Sequence, residues 1–301
     1  MPSGRAPGAT RVSGLPYRHP KPLRTVPMHI PSYEPAAALE FFRTGGEVET
    51  IPAGRTIFRE NRRSRKVLLQ RDKMYLLLKG RVSLVAGASE LRAVKPGEIF
   101  GEMAALAHLP RSATAVAKTP CRVIGLDHRQ FVRALARKPA FALMLMKVMV
   151  KRLREAVAGL KAGRARPSGE APLESPVFNP RLLADTVRGL ADDPPVSYLR
   201  NQVILEEGQL GTRMYVVLHG HVGITIAGEV VDRIGPGGVL GELALIDQAP
   251  RLASAVAQDN VALQPINRNA FVALVKLHPE LGAALLAALA QRLAYLTGRL
   301  K

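Results

Sequence analysis

FGEMAALAHLPRSATAVA, residues 100–117, places one acid and one base, Glu102 and Arg111, among small apolar residues that otherwise read as core. The pattern returns as LGELALIDQAPRLASAVA at 240–257, where Glu242 and Arg251 keep the same separation. A buried charge persists only where something polar satisfies it. Three arrangements meet that condition. The acid and base neutralise each other, or both sit at the surface, or both line a pocket whose ligand offers an anion to the arginine and a hydroxyl to the glutamate. Recurrence at a fixed spacing favours the pocket.

The recurrence extends well beyond these stretches. MYLLLKGRVSLV at 74–85 matches MYVVLHGHVGIT at 214–225, KPGEIFGEMAAL at 95–106 matches GPGGVLGELALI at 235–246, and Phe131 and Pro139 match Phe271 and Pro279. Every pair lies 140 residues apart, the mark of two copies of one domain. Upstream, IPAGRTIFRE at 51–60 aligns with YLRNQVILEE at 198–207, so the first copy carries an insertion within the basic stretch NRRSRKVLLQRD. Short β-branched and apolar runs broken by glycine predict a barrel or jelly roll rather than a parallel sheet. A helix is predicted after each strand region, with apolar seams at Met146, Val150, Leu153, Val157 and Leu160 and at Leu286, Leu289, Leu293, Leu296 and Leu300. Spacings of three and four are those of one helix packing along another, within the chain or between two chains.

Residues 1–31 are rich in Pro, Arg and Gly and read as a disordered basic arm. The expected organisation is this arm, a first domain over 32–163, a linker over 164–180 and a second domain over 181–301. Lysine and arginine exceed aspartate and glutamate by 5 in residues 1–31 and by 15 in 32–170, while 171–301 carry −1, which makes up the net +19. Such a field favours polyanions, nucleic acid among them; a solvated basic face is the competing explanation. The lone Cys121 aligns with Val261 and excludes an internal disulfide, and no apolar run approaches the roughly 20 residues of a membrane span. The expectation is a cytoplasmic protein without a membrane span.

The pocket reading has a physical basis. Gly101 permits close backbone approach, the one or two helical turns from Glu102 to Leu106 present free N–H groups at their start, and Arg111 can fork onto two phosphate oxygens. The glutamate would accept from a sugar hydroxyl, and a phosphate closed onto a sugar that keeps its 2′-hydroxyl is a 3′,5′-cyclic nucleotide.

G-E-x-A followed by P-R and small residues, after a glycine-broken strand, resembles the phosphate-binding cassette of the cyclic-nucleotide-binding domain family. Bacterial catabolite activators and the regulatory subunits of cyclic-AMP-dependent kinase belong to that family. The resemblance implies a mainly β fold with helices: two tandem eight-stranded jelly rolls (double-stranded β-helices), each with flanking helices and a capping C-terminal helix. It implies a first site at Phe100, Gly101, Glu102, Met103, Ala104, Arg111, Ser112 and Ala113. It implies a second at Leu240, Gly241, Glu242, Leu243, Ala244, Arg251, Leu252 and Ala253, with Thr297 on the capping helix as a base contact. The glutamates are assigned to the ribose 2′-hydroxyl and the arginines to the cyclic phosphate. The ligand implied is cAMP or cGMP, with Ser112 leaning to cAMP, and no metal is implied. Leu252 stands where the family carries a smaller residue.

The functional expectation is a sensor that passes a helix movement to a protein effector. The chain ends at Lys301, straight after the second seam, so no helix-turn-helix is expected. A Crp/Fnr-type transcription regulator would have to contact DNA through the arm or through Arg62, Arg63, Arg65 and Lys66. A kinase-regulatory-subunit-like protein would need an inhibitory Arg-Arg-x-Ser/Ala segment, and the arm offers only Arg11-Val12-Ser13. A homodimer through the C-terminal helices stays open. Enzyme motifs are absent: His219 and His221 lack a third ligand nearby, and Met144, Met146 and Met149 read as helix core.

Overall fold

The computed structural model describes residues 30–61, 72–87, 89–164, 176–190 and 193–299. The arm up to residue 29, the basic stretch 62–71 and most of the linker lie outside the described residues, so the expectations for Arg62, Arg63, Arg65 and Lys66 do too.

In the first copy the elements are α1 (Pro35–Arg43), β1 (Glu47–Ile51), β2 (Thr56–Phe58), β3 (Lys73–Lys79), β4 (Val82–Ala86), β5 (Ser89–Val94), β6 (Ile99–Phe100), α2 (Glu102–Ala107), β7 (Thr114–Ala117), β8 (Cys121–Asp127), α3 (His128–Arg137) and α4 (Ala140–Gly159). The second copy holds α5 (Pro180–Gly189), β9 (Val196–Tyr198), β10 (Val203–Leu205), β11 (Arg213–His219), β12 (Val222–Ile226), β13 (Glu229–Ile234), β14 (Val239–Leu240), α6 (Glu242–Asp247), β15 (Ser254–Ala257), β16 (Val261–Asn267), α7 (Arg268–Leu277) and α8 (Pro279–Arg299). Eight strands in each copy form two four-stranded antiparallel sheets, ordered β1-β8-β3-β6 and β2-β7-β4-β5. The second copy repeats this as β9-β16-β11-β14 and β10-β15-β12-β13. The expected pair of jelly rolls is the observed fold.

Register repeats as well: Tyr75 faces Phe100 across β3 and β6, and Tyr215 faces Leu240 across β11 and β14. The helices after each barrel start on the same device. Asp127 accepts from the backbone N–H of Gln130 at 2.8 Å, and Asn267 from that of Ala270 at 3.0 Å, each satisfying a donor the helix cannot.

Inward residues such as Leu77, Val82 and Val123 fill the first barrel, and Val217, Val222 and Leu263 the second. A third core joins the domains. Phe41, Phe131, Met146, Val150 and Leu153 from the first half are continuous with Phe271, Leu286, Leu289 and Leu293 from the second. Helices α4 and α8 pack along each other. The two seams therefore meet inside one chain, and Leu300 lies outside the described residues.

Two boundaries differ in detail from the sequence expectation. Ile30, placed in the arm, is buried in the shared core. Val177 and Phe178, placed in the linker, are buried and donate their backbone N–H groups to Gly237 O at 3.0 and 2.8 Å. Among the described residues α8 alone is long and apolar enough, by length and composition, to cross a membrane, and 56% of its most apolar window is buried in the fold. Its packing against α4 accounts for that apolarity.

Candidate functional site

Each cassette begins where a strand ends in a left-handed glycine. Gly101 (φ 74°) and Gly241 (φ 82°) turn the chain from β6 and β14 into α2 and α6. A side chain there would be strained, and it would meet the arginine: a Cβ would lie 2.8 Å from Arg111 Nη1, or 2.6 Å from Arg251 Nη1.

Arg111 is 5% exposed and donates to Gly101 O at 2.8 Å and Lys73 O at 2.9 Å. Its Nη2 also lies 3.0 Å from Asp72 Oδ1, and its guanidinium carbon sits 4.2 Å over the Phe58 ring. Burial holds its pKa below the usual arginine range, partly offset by Asp72. Arg251 repeats the two carbonyl contacts, to Gly241 O and Arg213 O at 2.6 Å each, but has no carboxylate partner among the described residues. Its pKa is likewise lowered by burial. Gly211 makes room for it, since a Cβ there would fall 2.2 Å from Arg251 Cζ.

The glutamates do not pair with these arginines. Glu102 forms an ion pair with Arg152 on α4, and Glu242 with Arg292 on α8. Arg292 also holds Asp232 Oδ2 at 3.0 Å and donates to Val239 O at 2.9 Å. Burial raises the Asp232 pKa, Arg292 opposes that rise, and Glu242 adds to it. On Arg152 the effect runs upward, led by the charge of Glu102. Arg152 and Arg292 are themselves 140 residues apart, and sequence reasoning passed over them because only the apolar positions of the two helices were read.

Beside the second cassette lies a cavity of about 140 Å³. Leu240, Gly241, Glu242, Leu243, Ala244, Arg251, Leu252 and Ala253, all named from sequence, line it. Further wall comes from strand residues such as Leu205, Ile224 and Ile234, from Asp232, and from Gln291, Arg292, Tyr295 and Leu296 on α8. Glu242 is 1% exposed and its Oε2 is buried without a hydrogen-bond partner. Thr297 is the exception among the expected residues. It is not part of the lining, and its hydroxyl donates back to Leu293 O at 2.7 Å, the usual habit of a threonine in mid-helix.

The first cassette brings Phe100, Gly101, Glu102, Met103, Ala104, Arg111 and Ala113 together, with Phe100 stacked on Tyr75. Ser112 is exposed at its edge. Elsewhere, Cys121 is buried and its thiol lies 3.2 Å from Thr119 O. His221 Nδ1 lies 2.9 Å from Asp259 Oδ2, a surface pair. Among the described residues no group of three or more His, Cys, Asp and Glu side chains could hold a metal ion.

What such a site can take follows from its polar groups. Among the described residues the Arg251 guanidinium has no carboxylate partner and Glu242 Oε2 has no donor, and both residues line a mainly aliphatic chamber that also holds the Asp232–Arg292 pair, which suits an anion that also carries a hydroxyl and a flat apolar body.

The model of the cyclic nucleotide-binding domain matches this chain twice, over 48–138 and 195–278. The cAMP-dependent protein kinase regulatory subunit of Yarrowia lipolytica is 26% identical over 220 residues, covering 70% of this chain and 52% of that protein. The same-named protein of Schizosaccharomyces pombe is 26% identical over 182 residues, 59% of this chain and 38% of its own length. The chain thus spans about half or less of these relatives. Among solved structures, the regulatory domain of Toxoplasma gondii PKA with cAMP is 19% identical, covering 80% of this chain and 86% of that one at a TM-score of 0.30. A cyclic nucleotide-binding-like protein from Brucella abortus is 32% identical over 33% of this chain and 83% of its own, at a TM-score of 0.28. With two matches that together span more than half of its length, this chain belongs to the cyclic nucleotide-binding domain family, in a tandem form.

Proposed function

We propose that the protein is a sensor of a 3′,5′-cyclic nucleotide, with cAMP as the base assignment to test first. Arg251 takes the cyclic phosphate, Glu242 accepts the ribose 2′-hydroxyl, and the aliphatic wall receives the base. The observation that carries this is the second cavity, a mainly aliphatic chamber shared by Glu242, whose Oε2 is an orphan, and by the buried Arg251 guanidinium, which among the described residues has no carboxylate partner. The first cassette has the same two residue types in the same places. There Asp72 already engages Arg111, so a phosphate must share or displace that contact and the second site fills first.

The receiver of the signal in this reading is a protein effector, as the names of the curated relatives suggest. The arm carries no Arg-Arg pair, so the inhibitory kinase segment expected of that class is not visible in residues 1–31. Calorimetric titration with cAMP and with cGMP tests the assignment. A charge-assisted hydrogen bond contributes about 1.5–3 kcal/mol, so Arg251→Ala weakens the tighter event roughly 10- to 150-fold. Arg111→Ala weakens the other event similarly. If both variants bind as the wild type does, the arginines are not phosphate ligands.

A further inference from the structure

The second cavity is not built by the second domain alone. Leu153 and Val157, which complete its wall, belong to α4 of the first domain. They lie four apart, and therefore on one face of that helix. The residues flanking Leu153 point to either side. Arg152 reaches Glu102 in the first cassette. Arg154 reaches forward to Asp247 at the end of α6, with Nη2 3.0 Å from Oδ1, and donates to Pro250 O at 3.0 Å, next to Arg251.

We infer that the second cavity is a composite site, closed by α4 of the first domain and held in register by Arg154, so that one helical turn serves both cassettes. This rests on the nucleotide reading above. Arg154 is a positioning residue, since it touches the end of the cassette helix and not the cavity. The repeat supplies an independent argument. The positions equivalent to Arg154 and Asp247 are Ala294 and Ala107, so the latch exists in one direction only. A ligand hydroxyl at Glu102 competes with Arg152 for that carboxylate. Any shift of α4 that follows moves Leu153, Val157 and Arg154 together. Occupancy of the first site is thereby read at the second, and by linkage the second is read at the first.

The chain has no tryptophan, so Val157→Trp installs a sole tryptophan, excited selectively at the red edge of the tyrosine band, on the first domain where it lines the second cavity. In the full chain, cAMP is expected to change its emission saturably. The change should disappear with Arg251→Ala and survive Arg111→Ala. Emission that follows Arg111 instead, or stays flat while calorimetry on the same variant shows Arg251-dependent heat, overturns the composite site. If that variant does not fold, Arg154→Gln and Asp247→Asn carry the test. Each should weaken Arg251-dependent cAMP binding about 5- to 150-fold, the ordinary range of a coupling between sites. The double variant should be no worse than either alone, and Arg154→Lys should recover part of the loss with an unchanged melting temperature. Wild-type affinity in both single variants refutes the latch. Absence of any Arg251-dependent binding in the wild type is a different result: it removes the nucleotide reading itself, and the composite site with it.

Discussion

Replacing Arg292 by methionine tests the electrostatic frame of the second site. The guanidinium faces two carboxylates that are almost wholly out of water, Glu242 at 1% and Asp232 at 10% side-chain exposure. Methionine keeps much of the volume and removes the cation that bridges them. Breaking a buried pair by deleting one partner costs about 3–5 kcal/mol, because the remaining charge stays buried without compensation. For a unit of this size 1 kcal/mol moves Tm by about 2–4 °C, so a drop of roughly 6–20 °C is expected at pH 7.5. The sign of the pH dependence is also fixed. Burial already raises the Asp232 pKa, and Arg292 is the leading influence that opposes it. Without Arg292 the folded-state pKa of Asp232 rises further above its unfolded value. A carboxyl raised in this way contributes stability that is full below its unfolded pKa and lost as pH rises through its folded pKa. The deficit of the variant should therefore be largest near pH 7.5 and shrink toward pH 4.5. Adding Glu242→Gln and Asp232→Asn should recover much of it at neutral pH. Differential scanning calorimetry across that range decides the matter. A deficit below about 1 kcal/mol, or one that stays constant with pH, would show that the three groups are not the buried charge cluster described here.

Arg152→Met in the first domain should cost less than Arg292→Met, because Arg152 is 27% exposed and water screens what Glu102 loses; the two melting curves compare directly. Thr297→Val should leave Arg251-dependent cAMP affinity within about twofold, since the hydroxyl is spent on its own helix, and a tenfold loss by calorimetry would put it on the ligand. The His128 pKa is lowered, first by burial and then by the nearby His108. The unfolded chain therefore takes up the proton more readily, and stability falls as pH drops through about 6.5 toward the lower folded value. His128→Gln should flatten the Tm-against-pH curve in that window, and an unchanged slope would assign it elsewhere.

The repeat offset, the strand-then-helix order and the two Glu–Arg cassettes were legible because they depend on local pattern. Small residues around Gly101 and Gly241, the glycine-broken apolar runs of β3 and β11 and the apolar seams are all written in neighbouring positions. Eight of the nine positions named for the second site line one cavity for the same reason. What each charge pairs with was not legible. Glu102 and Glu242 answer to arginines 50 residues further on, and only the docking of α4 and α8 brings those within reach. Thr297 sits at the right place along its helix, yet a carbonyl one turn back takes its hydroxyl, a choice set by helix rotation. Nor could periodicity tell whether the seams meet within a chain. That was settled by a shared core running from Phe41 to Leu293, and a core forms from distant residues whose apolar area leaves water together. Sequence thus determined the parts and their chemistry. The tertiary packing decided the partners, because ion pairing and burial depend on distance in space, which the spacing along the chain does not record.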